Sequence, residues 1–326
     1  MLTTDLTQYE NNVTNFFNKI CKKHFEEVNC IFCSPDNPSI KLFDKESMVV
    51  HKCYCGFVFN KRQANQEALS AFYTKSDAMK DWSNIKTSEF EDQRQEMKFS
   101  KAVNYLKRMG CRSILDIGCG TGKFLALLPD NMKRVGFDSH MESIEIAKTN
   151  YDLDVICAPM QWLGSEDARR ETFEAISLWG VLEHVKDPIA LIGDAKSLLT
   201  DNGSLIICVP NVKSSIFEHL GSECFSYCPQ HLWYFDVESL RKILSINGFT
   251  VELHWTIESE SLPILRHTNG ANPYDETPDW FHNRFTGRSD QLFLSRHILN
   301  ANKGYKIVMI AKKLKDNIIP FKRKKR

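Results

Sequence analysis

The sequence predicts an α/β protein with a doubly wound, mostly parallel sheet and a small N-terminal module. Two observations support this prediction. From residue 111 onward, short apolar strands alternate with helices, a pattern typical of parallel sheets with helices on both faces. Between residues 30 and 55, four cysteines lie in two close pairs within a segment of little hydrophobic periodicity. Ligands of doubly wound sheets bind beyond the carboxyl ends of the strands, so residues that follow the strands are candidate functional residues.

The composition is that of a globular protein. The 326 residues include 42% hydrophobic and 25% charged residues, and the net charge is +1. The N-terminus lacks the basic and apolar regions of an export signal, and no apolar run approaches the roughly 18 residues of a membrane helix. We therefore expect a cytoplasmic protein without a membrane span. The sequence does not predict an oligomeric state.

Four segments are expected along the chain. An N-terminal helix, with Val13, Phe16, Phe17 and Ile20 at helical spacing, precedes the cysteines in a module at residues 1–60. Lid or linker helices follow at 61–110, and the last of them ends at a glycine. The main domain occupies 111–313, with an irregular pocket-forming insert at 257–304. A basic tail at 314–326 ends the chain.

The main domain contains seven predicted strands. Their sequences are SILDIG, KRVGFD, LDVIC, FEAISLWG, GSLIICVP, FTVELHW and YKIVMIAKK. Asp187 before Pro188 marks one helix start between these strands, and Asp236 marks another. A capping box formed by Ser139 and Glu142 is predicted to begin the helix after the second strand.

A glycine-rich loop follows the first of these strands. Asp116 precedes three alternate glycines, Gly118, Gly120 and Gly122, whereas a dinucleotide-binding fingerprint would place its third glycine at Lys123. The pattern resembles the first motif of class I S-adenosylmethionine-dependent methyltransferases. This resemblance implies a Rossmann-like, seven-stranded methyltransferase sheet. It also implies that Asp116 orients the amino-acid end of the cofactor and that the loop, including Cys119, lies against it.

Further cofactor residues follow from the same resemblance. Asp138 ends the second strand, where the family has an acidic residue that binds both ribose hydroxyls. Residues 157–161 are expected to line the adenine, with the backbone of Met160 and the side chain of Gln161 as partners. Trp179, after the fourth strand, is expected to face the sulfonium.

Two segments suggest the acceptor site. LWGVLEHVKDP resembles a family segment and contains Glu183 and His184, for which a substrate role and a purely local hydrogen-bonding role both remain open. CPQHLWYFDVESL resembles the active-site stretch of bacterial sugar C-methyltransferases, and on that match His231 is a candidate base or a structural histidine. Gln230 stands where those enzymes have Glu, so O- or N-methylation of a sugar, nucleotide-sugar or polysaccharide precursor is favoured over C-methylation. Aromatic residues near Tyr73 are expected to form a lid.

Four cysteines, Cys30, Cys33, Cys53 and Cys55, form a candidate structural zinc site. A cysteine module before the catalytic domain resembles those of the bacterial sugar methyltransferases, although the second pair here is C-x-C instead of C-x2-C. Substitution of His51 for one ligand and four ordinary reduced cysteines both remain open.

Two alternative functions are kept open. The last 24 residues carry a net charge of +9, so an RNA or protein methyltransferase that docks through the tail is one of them. The charges of the cysteine module balance, however, and a nucleic-acid partner is therefore not expected. The other alternative is a non-catalytic scaffold that binds the cofactor or its demethylated product.

Overall fold

The computed structural model describes residues 2–20, 22–274 and 288–315. Its N-terminal part consists of one helix and five short strands: α1 (Leu2–Lys19), β1 (Phe25–Glu27), β2 (Ser39–Lys45), β3 (Met48–Cys53), β4 (Val58–Asn60) and β5 (Arg62–Ala64). Strands β1 and β5 pair with each other, and β2, β3 and β4 are consecutive antiparallel strands of a second sheet. The predicted apolar stripe of α1 is confirmed, because Val13 and Phe17 are buried.

Three helices connect this part to the main sheet: α2 (Gln66–Lys75), α3 (Asp77–Lys86) and α4 (Glu89–Arg108). Phe72 on α2 is fully buried against the rings of Phe16 and Phe17 of α1, at centroid distances of 5.3 and 5.0 Å. Burying a phenylalanine contributes about 1.5–3 kcal/mol, so this aromatic contact holds α1 against the body of the protein.

The predicted alternation of strands and helices follows. Its elements are β6 (Ser113–Ile117), α5 (Lys123–Ala126), β7 (Lys133–Asp138), α6 (Met141–Tyr151), β8 (Asp154–Cys157), α7 (Glu166–Arg169), β9 (Phe173–Trp179), α8 (Pro188–Leu198), β10 (Leu199–Pro210), α9 (Ser215–Leu220), β11 (Trp233–Tyr234), α10 (Val237–Ile246), β12 (Phe249–Ile257), α11 (Ser261–Thr268), α12 (Arg288–Asn300) and β13 (Lys306–Lys313).

Among the described residues, seven of these strands form one sheet in the order β8-β7-β6-β9-β10-β13-β12. All neighbouring pairs from β8 to β10 are parallel, whereas β13 is antiparallel to β10 and to β12. The chain runs outward from β6 to β8 and then returns to β9, so the strand order reverses between β6 and β9. The predicted doubly wound, mostly parallel sheet is confirmed, and this reversal opens a crevice at its carboxyl edge.

Two of the three predicted helix caps are present. The Asp187 side chain accepts a 2.9 Å hydrogen bond from the Ala190 N–H at the start of α8. Asp236 and Ser239 form a full capping box at α10. The Ser139–Glu142 capping box is wrong, because α6 starts after His140, whose side chain makes no capping hydrogen bond.

The insert is less irregular than expected. Residues 258–303 contain the helices α11 and α12, so the prediction of an irregular segment is wrong in these parts. Pro263 lies in the first turn of α11, where a proline is tolerated because its missing N–H has no helical partner. Residues 275–287 of the insert and residues 316–326 of the basic tail lie outside the described residues.

Strand β11 joins the N-terminal part to the rest of the molecule. It pairs antiparallel with β4, so Trp233 lies opposite Phe59 and a segment from the second half of the chain completes the cysteine-bearing sheet. Lys186 adds an ion pair with Glu26, at 2.6 Å. The acceptor segment identified in the sequence therefore runs along the boundary between the two parts.

Within the described ranges, no helix has the length and apolar character needed to cross a membrane.

Candidate functional site

The glycine loop connects β6 to α5 at the crevice. Gly118 and Gly120 both have positive φ angles, +69° and +52°, which glycine adopts without strain. A Cβ atom at Gly118 would lie 2.6 Å from a methyl group of Val181, so this position is bare because the protein itself packs there. A Cβ at Gly120 would meet nothing within 4 Å, so the loop faces open space at Gly120.

Gly122 and Cys119 are also held by protein contacts. A Cβ at Gly122 would lie 2.6 Å from Leu153, and Cys119 is buried with its N–H bonded to the Phe137 carbonyl at 3.0 Å. The protein's own packing therefore accounts for glycine at positions 118 and 122. Of the three glycines, Gly120 alone has open space where a ligand could lie.

Asp138, at the end of β7, is half-buried beside the loop. One carboxylate oxygen accepts the Gly120 N–H at 3.0 Å, and the other accepts the His140 N–H at 2.9 Å. Burial raises the pKa of Asp138, although these hydrogen bonds oppose the shift. Each oxygen keeps a second acceptor position, which is what a pair of ribose hydroxyls requires.

Asp116 lies deeper than the sequence suggests. It is 2% exposed, and its carboxylate accepts a 2.6 Å hydrogen bond from the Ser177 hydroxyl. Burial raises the pKa of Asp116 to about 7, and the nearby Asp138 carboxylate adds to this shift.

The predicted adenine segment lies next to Asp138. The Ala158 N–H donates to the Asp138 carbonyl at 2.9 Å, which positions the turn that carries Met160 and Gln161. Gln161 is exposed and Met160 half-buried, so both border open space at this edge. Trp162 packs against Phe137 with ring centroids 5.0 Å apart, as expected for a core residue.

Trp179 ends β9 within an aromatic group. Its ring lies 4.7 Å from that of Phe99 and 4.9 Å from that of Phe124, and the Lys98 ammonium lies 5.5 Å from its ring centroid. The indole N–H is buried and has no hydrogen-bond partner in the described structure.

The structure brings the three predicted acceptor residues together. Nitrogen and oxygen atoms of Glu183, His184 and His231 all lie within 4.8 Å of one another, although 46 residues separate the two histidines in sequence. The rings of His184 and His231 meet edge to face with centroids 4.7 Å apart. Backbone pairing fixes this arrangement, because the Leu232 N–H donates to the Glu183 carbonyl at 2.8 Å. We call these three residues the acceptor triad.

Burial dominates the protonation of the acceptor triad. Burial raises the pKa of Glu183 to about 7 and lowers that of His184 to about 4. Burial, with a contribution from the neighbouring His184, also lowers the pKa of His231 well below its usual value. Both imidazoles are therefore neutral near pH 7, and each keeps a ring nitrogen that accepts protons or binds metal ions.

Two tyrosines next to the triad have no predicted role in it. The Tyr73 hydroxyl lies 2.9 Å from His184 Nδ1, and the Tyr9 hydroxyl accepts from the Gln230 side chain at 3.2 Å. Tyr73 belongs to the predicted lid, which was the available signal. Tyr9 lies on α1. No sequence pattern points to it, because Gln230, which it contacts, is distant in the chain.

A buried charge network, which the sequence does not reveal, lies at the same edge of the sheet. Arg94 on α4 binds Glu258 at 3.0 Å and Glu260 at 2.8 Å, and Lys306 binds Glu258 at 3.1 Å. Although burial opposes ionisation, Lys306 and Arg94 hold the pKa of Glu258 far below its usual range. The network ties α4 to the ends of β12 and β13.

The four cysteines also meet. Cys30 Sγ lies 3.6 Å from Cys55 Sγ, Cys33 Sγ lies 3.8 Å from Cys53 Sγ, and all four sulfur atoms lie within 4.8 Å of one another. His51 is not part of this group and hydrogen-bonds Ser39 instead, at 3.0 Å.

The family of the chain follows from its match to known sequences. A family model described as a methyltransferase domain matches residues 75–254, more than half of the chain. The chain belongs to this methyltransferase-domain family. The predicted class, a class I S-adenosylmethionine-dependent methyltransferase, and its cofactor are thereby confirmed at the level of the family.

Curated relatives match a shorter stretch. Ubiquinone biosynthesis O-methyltransferase of Parvibaculum lavamentivorans is 34% identical over 120 residues, which cover 33% of this chain and 45% of that protein. The Haemophilus ducreyi protein of the same name is 29% identical over 126 residues, 34% of this chain and 52% of that protein. The chain thus spans about half the length of the curated relatives it matches.

Solved structures share the fold. The plantazolicin methyltransferase BpumL in complex with SAH matches with a TM-score of 0.50 and 19% identity over 76% of this chain and 94% of that one. Magnesium protoporphyrin IX methyltransferase of Synechocystis PCC 6803 with bound SAH matches with a TM-score of 0.52 and 14% identity, over 76% of this chain and all of that one.

Proposed function

We propose that this protein transfers a methyl group from S-adenosylmethionine to a hydroxyl oxygen of a small molecule, a sugar or a nucleotide-sugar or polysaccharide precursor. The observation that carries this proposal is the acceptor triad, which lies at the same sheet edge as the glycine loop. The O-methyltransferase names of the curated relatives support transfer to oxygen. The sugar class rests on the resemblance of the His231 segment to the sugar methyltransferases.

The crevice has the features that the cofactor requires. The loop is open at Gly120, and Asp138 keeps one acceptor position on each oxygen for the ribose hydroxyls. Asp116 is buried beneath the loop, where its hydrogen bond from Ser177 supports the end of β6, while Met160 and Gln161 border the adenine. The bound cofactor supplies a methyl group on a sulfonium whose thioether is already a good leaving group.

The acceptor triad favours oxygen over nitrogen as the methylated atom. A neutral amine attacks without assistance, whereas a hydroxyl near pH 7 must lose its proton during attack. A buried carboxylate whose pKa is raised to about 7, beside two neutral imidazoles, is suited to accepting that proton. We therefore assign Glu183, His184 and His231 to activation of the acceptor.

We also propose that the four cysteines bind one structural zinc ion. Tetrahedral zinc with Zn–S bonds of about 2.3 Å separates its sulfur ligands by about 3.8 Å, and the contacts of 3.6 and 3.8 Å match this value. The Asn37 amide donates to Cys53 Sγ at 3.2 Å, as neighbours of metal-bound thiolates commonly do. The C-x-C spacing of the second pair is thus compatible with a four-sulfur site.

The experiment uses cofactor with a CD3 group, wild-type protein and fractionated small-molecule extract, with products found by mass spectrometry. We expect a labelled small molecule with wild type and a turnover lower by about 10²–10⁴-fold in His231→Ala, with SAH affinity changed less than about threefold. His219→Ala is the control, since His219 Nδ1 also contacts a carbonyl but this side chain is exposed on α9. SAH binding without any labelled product would overturn the proposal in favour of a non-catalytic scaffold.

A further inference from the structure

The acceptor triad has the composition of a metal site. Among the described residues, only two groups bring three or more potential ligand atoms within 4.8 Å of one another: the four cysteines and this triad. Two imidazole nitrogens and one carboxylate oxygen form the three-ligand set of many catalytic zinc sites, which keep a fourth position open.

Both histidines are held in the tautomer that binds metals. His184 Nδ1 lies 3.0 Å from the carbonyl oxygen of Gln230, and His231 Nδ1 lies 2.8 Å from that of Ser226. The carbonyl oxygens only accept, so these two hydrogen bonds require the Nδ1–H tautomer, in which the nearby Tyr73 hydroxyl also accepts from His184 and each Nε2 keeps its lone pair. Metal-binding histidines are oriented in this way, by a hydrogen bond from the other ring nitrogen to a carbonyl or carboxylate.

Glu183 lacks the partner that a buried carboxylate needs. Its side chain is almost fully buried, and Oε2 has no hydrogen-bond partner in the described structure. The only potential ion-pair contact found for it there is His184 Nε2, 3.9 Å from Oε1. Burying an unpaired carboxylate is costly, and a cation bound between it and the two imidazoles would remove that cost.

We propose that Glu183, His184 and His231 bind one divalent transition-metal ion, with zinc as the best match to the ligand set. Zinc bonds of about 2.0–2.1 Å place ligand atoms about 3.3 Å apart, so the side chains close by at most about 1.5 Å from their present separation. The Tyr73 hydroxyl, 2.9 Å from His184 Nδ1, steadies the ring through this closure.

The role of this ion rests on the proposed methyl transfer, whereas its binding does not. A divalent ion lowers the pKa of a hydroxyl that it coordinates, so the acceptor loses its proton to solvent near neutral pH. The acceptor oxygen then forms its bond to the methyl carbon while the carbon–sulfur bond breaks and sulfur keeps the electron pair. In this mechanism, coordination to the metal ion activates the acceptor hydroxyl. Direct proton transfer from the hydroxyl to His231 is then not needed.

The test counts metal ions in the full-length protein without cofactor or acceptor. Chelator-stripped wild type, titrated with Co2+, is expected to bind two equivalents: one with intense thiolate-to-cobalt absorption and one with weak visible bands only. Glu183→Gln and His231→Gln each lose the second equivalent and keep the thiolate absorption. His219→Ala keeps both, and Cys30→Ser keeps the weak visible bands.

Zinc analysis of protein purified without chelator repeats the count for any variant that does not survive stripping, with two ions expected in wild type and one in Glu183→Gln. Wild type without the weak visible bands, or an ion count in Glu183→Gln equal to that of wild type, would overturn the inference. Two equivalents without any methyl transfer would leave the metal site standing and remove the proposed function. Full activity of protein that retains only the thiolate-bound ion would remove the role of the metal.

Discussion

Asp138 fixes two segments of the fold and is also the side chain that we propose binds the ribose. Its two oxygens receive N–H groups from Gly120 and His140, which lie on opposite sides of it in the chain. These contacts fix the glycine loop and the start of α6 relative to β7. The carboxylate is therefore already oriented before any ribose arrives, and pre-orientation lowers the entropy cost of binding.

Replacing Asp138 should weaken cofactor binding more than folding. Asp138→Asn keeps one carbonyl oxygen but removes the charge and one acceptor, so we expect SAH affinity to fall about 10–100-fold, since hydrogen bonds to charged groups contribute about 1.5–3 kcal/mol. Titration calorimetry with SAH measures this. Asp154→Asn, at the exposed start of β8, is the control, and equal affinities in the two variants would contradict the assigned role.

Asp116 should make stability depend on pH. Burial raises its pKa from 3.8 to about 7, so its stabilising contribution is complete below the unfolded pKa and is lost as pH rises through about 7. We expect this carboxyl alone to lower the free energy of unfolding by about 2–3 kcal/mol between about pH 5 and pH 8. Urea unfolding of wild type and Asp116→Asn measures the difference, and parallel pH profiles would refute the assignment.

At the scale of elements, the segment from Ser226 to α10 positions His231. The segment is anchored at one end by the Ser226 carbonyl, in the middle by the pairing of β11 with β4, and at the other end by the capping box of Asp236. The Ser226 carbonyl holds the His231 ring directly. The strand pairing and the cap hold the segment that follows the histidine.

Removing the cap should therefore affect both stability and turnover. Asp236→Ala loses the hydrogen bond to the Ser239 N–H and the ion pair with Lys213, so we expect a loss of about 1–2 kcal/mol in the free energy of unfolding. Turnover should fall as well, because the His231 segment loses one anchor. Glu238→Ala, exposed in the same helical turn, should stay within about 0.5 kcal/mol of wild type. Urea unfolding and a methyl-transfer assay check both effects.

At the scale of the whole molecule, the cysteine module and the main sheet form one connected structure. Strand β4 lies between β3, which carries Cys53, and β11, which follows His231 directly. The four sulfur atoms and the acceptor triad are thus connected through the neighbouring strands β3, β4 and β11.

Loss of zinc should act on both parts. Cys33→Ser is expected to lower zinc content by about one equivalent and the melting temperature by roughly 5 °C or more, because metal binding is coupled to folding of the module. Elemental analysis and differential scanning calorimetry measure these changes. Cys111→Ser is the control, because Cys111 lies outside the four-cysteine group and its sulfur hydrogen-bonds the Ser113 carbonyl. An unchanged zinc content in Cys33→Ser would argue for four ordinary cysteines.

The sequence by itself determined the alternation of strands and helices, the caps at Asp187 and Asp236, and the glycine motif after β6. These features depend on residues close together in the chain, whose hydrophobic period, capping side chains and glycine spacing are set locally. The Ser139–Glu142 cap failed because α6 begins one residue later, with His140 at the N-cap.

Only the tertiary structure decided which residues meet at the site. Sequence reasoning selected the adjacent Glu183 and His184 from one segment and His231 from another, but their common position depends on the pairing of β11 with β4 and on the Leu232–Glu183 backbone contact. It also attributed the bare Gly118 to a ligand, whereas Val181 fills that space. Contacts of this kind join residues far apart in the chain, so they follow from how the sheet and helices pack and from no local pattern.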